Sequence, residues 1–242
     1  MRLHILTIPV RSLLIFCCFL ACLNFTSCKD SAETEENSTE VSTDSTSYNS
    51  ETSTDTISKT ILFFGDSLTA GYGLEDPDDA FPDLIQGKID SLDLDYQIIN
   101  AGLSGETTAG GKSRLEWVLE PDVAIFILEL GANDGLRGVS VAETRENLQW
   151  MIHKVKAEAH QAQIVLAGMQ LPPNLGTEYT QDFKAIFPKL AEENDIKLIP
   201  FLLENVGGIA SLNQNDGIHP NPKGHKIVAN NVWSVLKPLL NK

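Results

Sequence analysis

Four short blocks of this sequence bring together a nucleophile, a base, an acid and hydrogen-bond donors. The first, Phe64-Gly65-Asp66-Ser67-Leu68-Thr69, follows the apolar run Ile61-Leu62-Phe63-Phe64. A serine just past a strand can open a helix, with its own N–H free to face a substrate oxygen. Alone, Gly-Asp-Ser is also a common turn or helix-capping triplet. The second block, Asn100-Ala101-Gly102-Leu103-Ser104-Gly105, offers Gly102, whose bare backbone can approach a ligand and donate its N–H to an oxyanion. A loop glycine opening the next helix would look the same. The third, Glu129-Leu130-Gly131-Ala132-Asn133-Asp134-Gly135, carries the Asn133 amide, a second candidate donor, although asparagine also suits a left-handed turn. The fourth, Asn215-Asp216-Gly217-Ile218-His219-Pro220-Asn221, sets Asp216 and His219 three apart. A turn at Gly217 and Pro220 would let the carboxylate reach one imidazole nitrogen while the other faces Ser67. That is a nucleophile–base–orienter set, the chemistry of acyl transfer through serine. A metal site needs more ligands. His153 and His160 lie seven apart on a charged helix face, and no cysteine cluster accompanies them, so neither metal nor other cofactor is expected.

All four blocks follow elements that can gather them. Apolar runs at 61–64, 97–99, 123–128, 164–167 and 196–199 read as strands covered on both faces. Between them lie amphipathic stretches. Residues 141–159 put Leu148, Ile152 and Val155 on one face, and residues 223–240 do the same with Ile227, Val228, Val232, Val235 and Leu236. Strand–helix alternation predicts an α/β fold with a parallel sheet and right-handed crossovers. Ligands bind such sheets beyond the carboxyl ends of the strands, where all four blocks fall. Leu136, Arg137, Leu171, Pro172 and Pro173 follow those ends and are expected on the substrate rim, though ordinary loop packing would also use them.

The N-terminal quarter has another texture. Arg2 and Arg11 precede an apolar run, Leu13 to Leu23, too short to span a bilayer at the roughly 20 residues that needs. Residues 1–27 therefore read as an export signal. Phe25-Thr26-Ser27-Cys28 resembles a bacterial lipobox, with Phe25 where leucine is usual, and predicts a lipid on Cys28 that ties the protein to a membrane. Residues 28–58 read as a disordered tether, because 29–58 hold 15 Ser or Thr, 8 Asp or Glu and almost nothing apolar. Its hydroxyls would suit O-glycosylation, or it is a bare spacer. The folded domain is expected over 59–242. Formal charge is −15 for the whole chain; losing Arg2 and Arg11 leaves 16 bases against 33 acids, or −17. Such a body repels phosphate backbones, which excludes nucleic acid as a partner, and repels anionic headgroups.

The segments FFGDSLTAGYGL, NAGLSGETTAGGKSRLEW, LELGANDGLRG, GMQLPPNLGTEYT and DGIHPNPKGH, in this order, resemble the SGNH or GDSL hydrolases. Within them the likeness is to bacterial arylesterases of the acyl-CoA thioesterase I/lysophospholipase group, over residues 59–242. The resemblance implies a flavodoxin-like three-layer α/β/α sandwich with a five-stranded parallel sheet. It implies Ser67, Asp216 and His219 as a triad, with the Ser67 N–H, the Gly102 N–H and the Asn133 side chain as the oxyanion hole. It also implies a metal-free reaction on small-molecule esters, thioesters or lysophospholipids. A glycan deacetylase of the same fold and a non-enzymatic surface lipoprotein are the alternatives.

Overall fold

The structure, a computed structural model, describes residues 58–240. The expected export signal, Cys28 and the expected tether up to residue 57 lie outside the described residues. All described residues belong to one compact unit, Ser53–Lys242, which contains the whole described core.

Five strands appear where the apolar runs predict them: β1 (Lys59–Gly65), β2 (Tyr96–Gly102), β3 (Val123–Glu129), β4 (Gln163–Ala167) and β5 (Lys197–Ile199). They form one parallel sheet in the order β2-β1-β3-β4-β5. The helices are α1 (Ser67–Ala70), α2 (Phe81–Ser91), α3 (Thr108–Val118), α4 (Ala132–Leu136), α5 (Val141–Glu158), α6 (Thr177–Asn194) and α7 (Pro222–Leu236). On one face α3 packs on α5 and α5 on α6; on the other α2 packs on α7. This is the expected three-layer α/β/α sandwich.

Burial explains the sequence texture. Residues 61–65 of β1 and 125–129 of β3 are buried without interruption, because helices cover both faces. β2 departs from that expectation. It is an edge strand, so much of it is open and Ile99 is 47% exposed. Leu148, Met151, Ile152 and Val155 of α5, and Val228, Val232 and Leu236 of α7, face the core at helical spacing. Ile227 and Val235 of α7 are only half-buried.

Register matters most for the site. Gly65, ending β1, pairs with Gly102 of β2 on one side and Glu129 of β3 on the other. Three of the four sequence blocks therefore leave the sheet at one level, side by side. Among the described residues no helix is long and apolar enough to cross a membrane.

Candidate active site

β1 delivers Ser67 through a turn with little room. Asp66 caps α1, its Oδ1 accepting the Leu68 N–H at 3.0 Å. The Glu129 carboxyl rises from β3 beneath this turn. Its Oε2 accepts the Asp66 N–H at 3.1 Å and the Thr69 hydroxyl at 2.8 Å, so it grips both ends of the segment bearing Ser67. Gly65 is a glycine because a Cβ there would lie 2.2 Å from Thr69 Oγ1 and 2.6 Å from Glu129 Oε2. Ser67 itself is 8% exposed and lines the cavity.

Asp66 and Glu129 are buried acids a few ångströms apart, and both are pushed up. Burial raises Asp66 to about 6, against the lowering effect of donors from Leu68 and Asn133. Burial, with the nearby Asp66 charge second, lifts Glu129 well above the ordinary carboxylate range. Glu129 Oε1 has no hydrogen-bond partner, whereas Asp66 collects donors on both oxygens. Burial therefore favours the protonated form of both carboxyls, and Glu129 has one oxygen with no donor to steady a charge.

The fourth block arrives on the loop ahead of α7. His219 Nε2 lies 2.9 Å from Ser67 Oγ, and its Nδ1 lies 2.7 Å from Asp216 Oδ2. The other oxygen of Asp216 accepts the N–H groups of Ile218 and His219, each at 3.0 Å. Burial acts to raise the Asp216 carboxyl, but these hydrogen bonds outweigh it and hold the group below its ordinary value. Gln214 ties the loop to the segment after Ser67 by donating from Nε2 to the Tyr72 carbonyl at 2.6 Å. The Tyr72 ring rests on the imidazole, with centroids 4.7 Å apart.

The expected oxyanion donors stand differently. Asn133 lies in α4, a helix that the loop-like composition of residues 131–135 did not forecast. Its Nδ2 donates to Asp66 Oδ2 at 3.0 Å, and the residue lines the cavity. An amide has two N–H bonds, so one remains for a ligand. Asp134 beside it is buried and accepts the N–H and hydroxyl of Thr108, which fixes α4 against the start of α3. The Gly102 N–H is engaged at 3.0 Å by the side-chain oxygen of Asn100, whose Nδ2 in turn donates to the Thr69 carbonyl. What fixes Gly102 here is close approach: a Cβ would lie 2.3 Å from the Ala70 nitrogen.

Above the serine opens a cavity of about 520 Å³. Leu136, Leu171, Pro172 and Pro173 line it, together with Met169, Phe201, Leu203 and Ile218. Arg137 does not line it; its guanidinium donates to the Gly105 carbonyl at 2.9 Å and braces α4 against the loop after β2. Sequence reasoning passed over Glu129, Asp134, Tyr72 and Gln214. Only Glu129 carried a signal, as a lone acid closing an otherwise apolar strand.

Residues 63–227 match the GDSL-like Lipase/Acylhydrolase family. The chain is 42% identical over 183 residues to the esterase TesA of Pseudomonas aeruginosa, covering 75% of this chain and 90% of that protein. It is 39% identical over 183 residues to thioesterase 1/protease 1/lysophospholipase L1 of Escherichia coli, covering 75% of this chain and 85% of that protein. Among solved structures it superposes on the psychrotrophic esterase EstA from a Pseudoalteromonas species, inhibited by monoethylphosphonate. There the TM-score is 0.70 and the identity 36%, over 76% of this chain and all of that one. The chain belongs to the GDSL-like lipase/acylhydrolase family. It is an esterase of the SGNH type.

Proposed function

We propose that the chain hydrolyses carboxylic esters through a covalent acyl-enzyme on Ser67, and that it works outside the cytoplasm, held to a membrane by a lipid on Cys28. The observation that carries the chemistry is the chain of contacts Ser67 Oγ–His219 Nε2 at 2.9 Å and His219 Nδ1–Asp216 at 2.7 Å. His219 takes the proton from Ser67 as Oγ attacks the acyl carbon. Asp216 holds the ring tautomer and stabilises the imidazolium that forms. The oxyanion is met by the Ser67 N–H, which as the first of α1 has no acceptor within its helix, and by the free amide hydrogen of Asn133. The Gly102 N–H joins them when it is shared with, or released from, Asn100. His219 then returns the proton to the leaving alcohol or thiol. It next activates a water that frees the acid and restores Ser67.

The cavity's mainly apolar walls favour acyl chains over sugars, so esters, thioesters and lysophospholipids are the proposed substrates. The thioesterase and lysophospholipase names of its Escherichia coli relative support that class. An exported enzyme would meet lysophospholipids more readily than cytosolic acyl-CoA. The test is Ser67→Ala. It should stay folded by circular dichroism and lose nearly all hydrolysis of p-nitrophenyl butyrate; turnover near that of the parent would refute the assignment.

A further inference from the structure

Exposed large apolar side chains are distributed unevenly over the domain. Tyr72, Leu103, Leu136, Leu175, Ile209 and Ile218 are each between 36% and 52% exposed. All six lie on connections that leave the carboxyl ends of the strands, the edge of the sheet that carries the active-site cavity. Leu136 and Ile218 line the cavity with Ser67 and His219, and Tyr72 lies against the His219 ring. Leu175 follows Pro173, and Ile209 follows Gly208, both of them cavity-lining positions. Leu103 directly follows β2 and donates its N–H to the Gly65 carbonyl, one residue short of the nucleophile turn. They come from the five connections that leave the carboxyl ends of the strands, with Ile209 and Ile218 both on the one after β5. Of the other exposed large apolar residues, Leu92 and Trp117 sit near the helix ends that lead back to the opposite edge of the sheet, and Ile99 lies within β2.

Core packing does not explain this grouping, because these side chains are left largely in water. Exposed apolar side chains gathered at the edge that carries a catalytic mouth mark a surface that docks onto another apolar phase. Charge narrows the partner. Glu75, Asp76 and Asp78 are exposed beside Tyr72, and the chain as a whole is strongly acidic. An anionic surface would repel this face, while a zwitterionic one would not. The chain ahead of the domain permits the approach. β1 begins at the edge of the sheet opposite the mouth, and crossing the height of that seven-residue strand takes about 23 Å. Residues 29–58, between Cys28 and β1, reach at most ~100 Å.

We infer that the rim of the active-site mouth is an interfacial docking surface for zwitterionic phospholipid, which seats the opening on a bilayer or micelle so that an acyl chain passes into the cavity without crossing water. The inference rests on the esterase reading above. Its binding arm, however, can be measured without catalysis.

The test uses the compact unit 53–242, which holds the described core and lacks the anchor, beside its Leu175→Ser/Ile209→Ser double variant. Neither residue lines the cavity. The parent should co-sediment with phosphatidylcholine vesicles and less with vesicles rich in phosphatidylglycerol. The double variant should lose about tenfold in phosphatidylcholine binding and in kcat/KM on micellar lysophosphatidylcholine. Its kcat/KM on monomeric p-nitrophenyl butyrate should stay within about twofold, since no group near Ser67 changes. Failure of the parent to bind phosphatidylcholine, a preference for phosphatidylglycerol, or an equal loss on both substrates would each overturn the inference. If the parent fails to hydrolyse either ester, the esterase reading falls, and sedimentation still decides the docking.

Discussion

At the level of single residues the site joins groups whose chemistry is local to positions that are not. Asp216 and His219 are close in sequence, and their pairing follows from one tight turn. His219 meets Ser67 across 152 positions of chain, which only the sheet can bring about. The types and order of Ser67, Asn133, Asp216 and His219 were legible in the sequence because each sits in a short turn-forming block after an apolar run. The engagement of Gly102 was not, since it depends on where the Asn100 side chain points. Asn133 places one amide N–H on Asp66, and in the proposed mechanism the other meets the developing oxyanion. Asn133→Ala should therefore lower kcat on a short p-nitrophenyl ester by about a hundred- to a thousandfold, with KM little changed. Steady-state kinetics would read this, and a loss confined to KM would argue against the role.

At the level of elements, the ends of β1, β2 and β3 are level, and the Glu129 carboxyl fastens the turn between β1 and α1 from below. Strands were legible because runs of Ile, Leu, Phe and Val leave few alternatives. α4 was hidden because Ala-Asn-Asp-Gly reads as a loop; it forms through Asp134 and its ties to Thr108, which lies 26 positions away. The state of Glu129 was equally hidden, since burial sets it. That state has a pH signature. A carboxyl raised in the fold holds a proton that the unfolded chain releases near pH ~4.3. The stabilisation is then full below that pH and is lost as pH rises through the folded value. Asp66, at about 6, adds a loss of the same sign at lower pH. Glu129→Gln has no such proton to lose, so its melting temperature should fall less than the parent's as pH rises above about 4.3. Thermal denaturation at several pH values would measure this, and parallel curves would show that Glu129 is not the group responsible.

At the level of the whole molecule, a strongly acidic chain joins a compact hydrolase domain to an N-terminal region with Cys28 at the start of a Ser/Thr-rich stretch. If Cys28 bears a lipid, Cys28→Ser expressed in a bacterial host should move the enzyme from the membrane fraction to the soluble one, with ester hydrolysis per molecule unchanged. Membrane recovery equal to the parent's would exclude acylation at that residue. The strand order bears also on how the chain is made. β1 is the first strand to emerge and lies in the interior of the sheet, so both its edges wait for partners that come later, β2 to residue 102 and β3 to residue 129. Until then an apolar strand stands open to pairing with any neighbouring chain, the hazard of slow parallel sheets. The eight acidic residues of 29–58 have already emerged directly ahead of it. Flanking charge of this kind acts as a gatekeeper, keeping an unpartnered strand soluble during synthesis.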